Sequence, residues 1–202
     1  MTRIKRYLVL SAILLVLFVL YQGVIAGGVV FNGISPDQSP VAAAPPDQYA
    51  RPDSDVCTDF WVTVPLWSKI DEKTAESADY IQSGDDPAED GCEVGLSDVT
   101  DPDSSNNHIL SYQWQAPESG GGKPAAIDFT VKLMEGENER ASWLLQPDPP
   151  TTWATTEQTL TKAQADSIMD YTNLSLRFIA NKTEGGRTTR IEVSWAEFKL
   201  PG

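Results

Sequence analysis

Apolar residues fall on every second position in one run after another of this chain. In Ile127-Asp128-Phe129-Thr130-Val131-Lys132-Leu133 the alternation is unbroken. A period of two is that of a β-strand with one face buried. Leu110, Tyr112 and Trp114 alternate in the same way with Ser111, Gln113 and Gln115. Leu174, Leu176 and Phe178 alternate with Ser175 and Arg177. In Cys92, Val94 and Leu96, separated by Glu93 and Gly95, the phase turns Cys92 inward. Turn-forming residues separate the runs: Ser119-Gly120-Gly121-Gly122-Lys123-Pro124 is a loop, and Glu135-Gly136-Glu137-Asn138 and Glu184-Gly185-Gly186 are hairpin connections. One short helix is expected from Lys162 to Met169, capped by Thr161, with Gln164 at the capping-box position. Many short strands and little helix define an all-β fold, an antiparallel β-sandwich with a jelly roll as the first choice of topology.

The last strand contains an irregularity. Ile191, Val193 and Trp195 share one parity, whereas Phe198 and Leu200 share the other. A slip of one residue turns an apolar set to the wrong face. The pattern predicts a β-bulge near Ala196 and Glu197, or a strand that switches sheets there. It also puts Trp114 and Trp195 in phase with the core.

The N-terminus is of another kind. Arg3, Lys5 and Arg6 precede an apolar run from Tyr7 to Phe31 in which Gln22 is the only strongly polar side chain. As a helix this run is roughly 38 Å long, enough to cross a hydrocarbon core about 30 Å thick. The cations would stay on the cytoplasmic side. A retained transmembrane anchor and a signal peptide cleaved near Ala26 both fit, since Val24-Ile25-Ala26 precedes Gly27. Either way the remainder is expected outside the cytoplasm. Four segments follow: a basic start (1–6), the apolar helix (7–31), a linker (32–56) and the sandwich domain (57–202). The linker holds Pro36, Pro40, Pro45, Pro46 and Pro52 and reads as an extended stalk.

The formal charge is −14, and the first 31 residues contain no Asp or Glu, so the expected exported part is more acidic still. Such a surface is a poor partner for nucleic acid, whose binding relies on cations that neutralise phosphates. It suits solubility and attracts cations or basic partners. Two cysteines, Cys57 and Cys92, in an oxidising compartment suggest a disulfide, with free buried thiols as the alternative.

Several ordered motifs run through the domain: Ala78-Asp79-Tyr80-Ile81-Gln82-Ser83, Glu93-Val94-Gly95-Leu96-Ser97-Asp98, Asp101-Pro102-Asp103-Ser104-Ser105, the segment from Thr155 to Thr161, and Ala165-Asp166-Ser167-Ile168-Met169-Asp170-Tyr171. In these motifs the chain resembles a family of uncharacterised proteins met among phage structural genes and in environmental sequences. The resemblance implies a β-sandwich in a surface or particle-associated setting. It supplies no catalytic residues to carry over.

Signals for chemistry are thin. His108 is the only histidine, so a histidine-based relay has one available member. Its place at a strand entry suits a structural hydrogen bond. No nucleophile elbow, zinc-protease helix or phosphate loop is present. No cofactor is expected, with calcium the one metal to consider: Asp98, Asp101 and Asp103, beside Asn106 and Asn107, offer the hard oxygens it takes, without EF-hand spacing. Six tryptophans raise a carbohydrate-binding alternative. Trp61, out of phase with Phe60, Val62 and Val64, and Trp153, in a Pro/Thr-rich loop, are the candidates for an exposed sugar platform. Asn173 and Asn181 fit the N-glycosylation pattern. Taken together, the sequence points to a noncatalytic, surface-displayed structural or adhesive module on the cell envelope or a particle, with a carbohydrate-binding module as the alternative and a secreted hydrolase third. The expected partners are the membrane, through the N-terminal segment, and an envelope polymer, protein or glycan.

Overall fold

The computed structural model describes residues 43–145 and 149–202. The basic start, the apolar segment 7–31 and linker residues 32–42 lie outside the described residues. Among the described residues, no helix is long and apolar enough to cross a membrane. The compact unit runs from Ala44 to Gly202.

Among the described residues thirteen strands succeed one another: β1 (Gln48–Ala50), β2 (Pro52–Cys57), β3 (Trp61–Val62), β4 (Ile81–Ser83), β5 (Ala88–Leu96), β6 (Ile109–Gln115), β7 (Glu118–Ser119), β8 (Ala126–Glu135), β9 (Asn138–Leu145), β10 (Ala154–Thr159), β11 (Leu174–Glu184), β12 (Thr188–Thr189) and β13 (Glu192–Leu200). The first sheet has the order β10-β6-β13-β4-β3, with β1 also on β13. The second has the order β2-β5-β11-β8-β9, and β12 and β7 form a short ribbon. Every pairing is antiparallel.

The expected alternation becomes a sandwich core. Leu110, Tyr112 and Trp114 of the first sheet, and Phe129, Val131, Leu133, Leu176 and Phe178 of the second, are all at most 3% exposed. The rings join the sheets: Phe129 lies 4.9 Å from Trp114, 6.2 Å from Tyr112 and 6.0 Å from Phe178 between centroids. Contacts of this kind add to the area term because aromatic edges and faces are electrostatically complementary.

The structure corrects several expectations. Residues 48–57, assigned to the stalk and its boundary, are strands in both sheets. Pro52 hid this, yet β2 is an edge strand, where a missing backbone N–H costs no ladder bond. The helix α1 (Lys162–Ala165) is shorter than expected, although its capping box is formed by Thr161 and Gln164. The bulge lies earlier than expected, between Val193 and Trp195. As a result Ala196, not Trp195, stands opposite Tyr112 in the core. A small residue there leaves room for the phenol ring.

Cys57 and Cys92 are free thiols, not a disulfide. Cys57 pairs across strands with Glu93, and Cys92 pairs with Phe178. Cross-strand partners share a face and successive residues alternate faces. Cys57 therefore lies with Glu93 outside the sandwich, and Cys92 lies in the core.

Asn181, expected just after a strand, is inside β11 and opposite Asp128. Asn173 precedes β11 and is exposed.

Candidate functional site

Alternation that buries one half of each strand delivers the other half to the outer faces. On the first sheet Trp114, Val193 and Ile81 point inward and are at most 3% exposed. Their neighbours Gln115, Glu192 and Gln82 form a cross-strand row on the outer face. Glu192 is the centre of this row. Its carboxylate accepts from Gln115 Nε2 at 2.6 Å, and from Arg190 Nε at 2.8 Å and Nη2 at 2.7 Å. Arg190 also reaches Asp85 at 3.4 Å. Burial acts to lower the Arg190 pKa, but the Glu192 and Asp85 carboxylates outweigh it and raise the value. Beside this row, Ser194, the bulge residue, donates to Gln113 Oε1 at 2.8 Å.

Two aromatic rings close over this polar ground. Tyr80 immediately precedes β4, and Trp153 immediately precedes β10. Both are half-buried and meet at 5.7 Å between centroids with a 57° tilt. Strands β4 and β10 flank β13 and β6 in the sheet. The ring pair therefore bridges the two strands that carry Gln113, Gln115, Glu192 and Ser194. Glu192 is only 3% exposed although it stands on an outer face. Trp195 is on this face too, and its Nε1 donates to the Glu72 carbonyl at 2.8 Å. The loop before Tyr80 thus covers Trp195 and leaves Tyr80 and Trp153 as the accessible aromatics around Glu192, with Tyr49, 42% exposed, farther along the same face. Chemically, the site offers ring faces beside amides, a carboxylate and a guanidinium held by one another. It has an apolar surface for contact and fixed donors and acceptors for orientation, the combination that small-molecule sites use.

The two tryptophans named from the sequence part company here. Trp153 belongs to the site. Trp61 does not: it is 3% exposed, packs on Phe178 at 6.1 Å and donates to the Asp90 carbonyl at 3.2 Å. Its inward phase follows from pairing with Ser83, which is also buried. Tyr80, Gln82, Gln113, Gln115, Arg190 and Glu192 were missed. The available signal was that two of the three polar residues alternating with Leu110, Tyr112 and Trp114 are glutamines, Gln113 and Gln115.

Among the described residues no group of three or more His, Cys, Asp or Glu side chains is placed to hold a metal ion. The Asp101 carboxylate accepts from the Asp103 backbone N–H at 2.9 Å, a local turn. His108 is fully buried. Its Nδ1 faces the Asn106 carbonyl at 3.2 Å and its Nε2 lies 2.9 Å from the Tyr171 hydroxyl. A carbonyl only accepts, so the proton sits on Nδ1 and Nε2 accepts from Tyr171. Burial lowers the His108 pKa and pushes that of Tyr171 up to about 12.

No protein-family model matches the sequence, and no curated protein matches it. Solved structures that resemble it distantly include the two that follow. The CBM22-1 xylan-binding domain of Xyn10C from Paenibacillus barcinonensis is 14% identical, with a TM-score of 0.35, over 79% of this chain and 99% of that one. TmCBM61, solved in complex with β-1,4-galactotriose, is 12% identical, with a TM-score of 0.31, over 78% of this chain and 89% of that one.

Proposed function

We propose that this domain is a noncatalytic glycan-binding module, displayed outside the cytoplasm, that holds sugar residues on the outer face of its first sheet. The observation that carries this is the Tyr80–Trp153 ring pair lying across the Gln115–Glu192 row. Apolar C–H faces of a sugar pack on the two rings, while its hydroxyls exchange hydrogen bonds with the half-buried amides of Gln82, Gln113 and Gln115. Glu192, buried and held by Arg190, fixes the Gln115 amide in place, so that amide meets a hydroxyl without having to reorganise. The module retains the adhesive role expected from the sequence and gives it a sugar as its object. A glycan array probed with the full chain tests this. Saturable binding that Trp153→Ala and Tyr80→Ala each weaken by about 5- to 30-fold supports the assignment. Absence of saturable binding to any glycan removes it.

A further inference from the structure

The outer face of the second sheet carries a groove that glycan binding on the first sheet does not use. The register sets Leu144, Thr130, Ile179 and Gly91 in one row across β9, β8, β11 and β5. Leu144 is 57% exposed, and Ile179 is half-buried. At the far end Phe60, 60% exposed, lines a cleft of about 240 Å³ together with Gly91 and Arg177. That cleft shares Glu89 with one of about 500 Å³ around Thr130, Leu144 and Ile179. On its other side it shares Cys57, Glu93 and Arg177 with one of about 660 Å³. The first two adjoin as a trough along the cross-strand row, and the third continues from it along β5 and β11.

Gly91 is the telling residue on its floor. A glycine inside a strand costs about 0.5–1 kcal/mol relative to alanine. At Gly95 the cost has a reason, because a Cβ would collide with Ser54 Oγ. At Gly91 a Cβ would touch only the Phe178 carbonyl oxygen, at an ordinary 3.9 Å, and φ is not in the left-handed region. Neither packing nor conformation requires glycine there. A strand glycine accompanies a bulge or a close approach by another chain; the bulge here falls at Glu89, and Gly91 itself leaves the floor open to such an approach.

The charge of the trough gives the character of that visitor. Its two cations are already neutralised: Lys132 pairs with Glu139 at 2.8 Å, and Arg177 with Glu93 at 2.6 Å. Among the described residues, Glu89 and Asp128 on its flanks make no ion pair. We propose that this trough docks an extended segment of a partner protein in which basic and apolar side chains alternate. Its backbone passes over Gly91, its apolar side chains rest on Leu144, Ile179 and Phe60, and its long basic side chains, which leave the opposite face, bend back over the rims toward Glu89 and Asp128. Five strands at about 4.8 Å spacing span roughly 19 Å, the length of about six extended residues.

The test is fluorescence anisotropy of the full chain with a labelled hexapeptide of alternating lysine and leucine. Binding is expected to saturate and to weaken roughly tenfold between about 50 and 300 mM salt. Gly91→Val and Glu89→Gln are each expected to weaken it at least about fivefold, with Gly91→Val melting no lower than the wild type. Glu76→Gln, which removes the same charge from an exposed loop elsewhere, is expected to leave it unchanged. The proposal is overturned if binding does not saturate, if Gly91→Val binds normally, if Glu76→Gln weakens binding as much as Glu89→Gln, or if a glucosamine hexamer binds more tightly than the peptide.

Discussion

The indole of Trp153 and the phenol ring of Tyr80 meet at 5.7 Å although they stand at the starts of strands on opposite sides of two others. Nothing between them in the sequence announces the contact. The two rings are close because β6 and β13 bring β10 and β4 onto one sheet. Both rings are half-buried on an outer face, so truncating either removes accessible ring surface and little core.

Trp61→Ala provides the opposite case. This ring is 3% exposed and packs on Phe178 at 6.1 Å. Its removal is expected to cost about 3–5 kcal/mol of stability in urea unfolding, against at most about 1 kcal/mol for Trp153→Ala. Equal losses in the two variants would show that Trp153 is a packing residue, not an accessible platform.

The thiols should behave unequally. Burial raises the Cys92 pKa well above its ordinary value. At Cys57 a hydrogen bond from the Asp59 backbone favours the thiolate, but the Asp59 carboxylate, partial burial and Glu93 outweigh it and the pKa still rises. A thiol reagent under native conditions is expected to titrate one cysteine per chain, slowly at neutral pH and faster as the pH rises. The second should react only after denaturation. Zero reactive thiols in both states would mean that the two sulfurs are bonded after all.

His108 should make stability sensitive to mild acid. Its folded pKa is lowered from 6.5 by burial, so the unfolded chain takes up the proton first. Above about pH 6.5 both states are neutral and the residue contributes no pH dependence. Below it, stability should fall by up to about 1.4 kcal/mol per pH unit until the folded pKa is passed. The difference in unfolding free energy between wild type and His108→Gln, followed from pH 7.5 down to 5, reads this slope directly. A constant difference across that range would contradict the assignment.

The bulge before Trp195 makes a packing prediction. Ala196 faces Tyr112, and both are fully buried. Ala196→Leu is expected to destabilise the domain by about 1–3 kcal/mol through overpacking. Glu197→Gln is a milder change. It keeps the side-chain shape and weakens one ion pair with Arg51 at the partly exposed rim, and is expected to cost under about 1 kcal/mol. Urea unfolding of the two variants beside the wild type checks both values, and an unchanged midpoint for Ala196→Leu would contradict the tight fit at Tyr112.

Much of the fold was legible where the local signal was strong. The period-two runs at Leu110, Ile127 and Leu174 became β6, β8 and β11, and Thr161 with Gln164 became a formed capping box. The signal failed where composition spoke of something else. Residues 48–57, which follow a proline-rich run and hold Pro52, looked like linker because edge pairing leaves so small a demand on sequence. Trp195 looked like core because its parity is inward until Ser194 is inserted into the ladder. The cysteines looked like a bridge because count and spacing carry no information about which side of a sheet each sulfur leaves.

By itself the sequence determined that the domain is a sandwich, since alternation is a local property of each strand and burial must follow it. It also set the acidic charge and the polar character of the outward positions. Only the tertiary structure decided which outward residues meet. Strand order is set by packing between segments far apart in the chain, and this order alone brings Tyr80 to Trp153, Gln115 to Glu192 and Gly91 to Phe60.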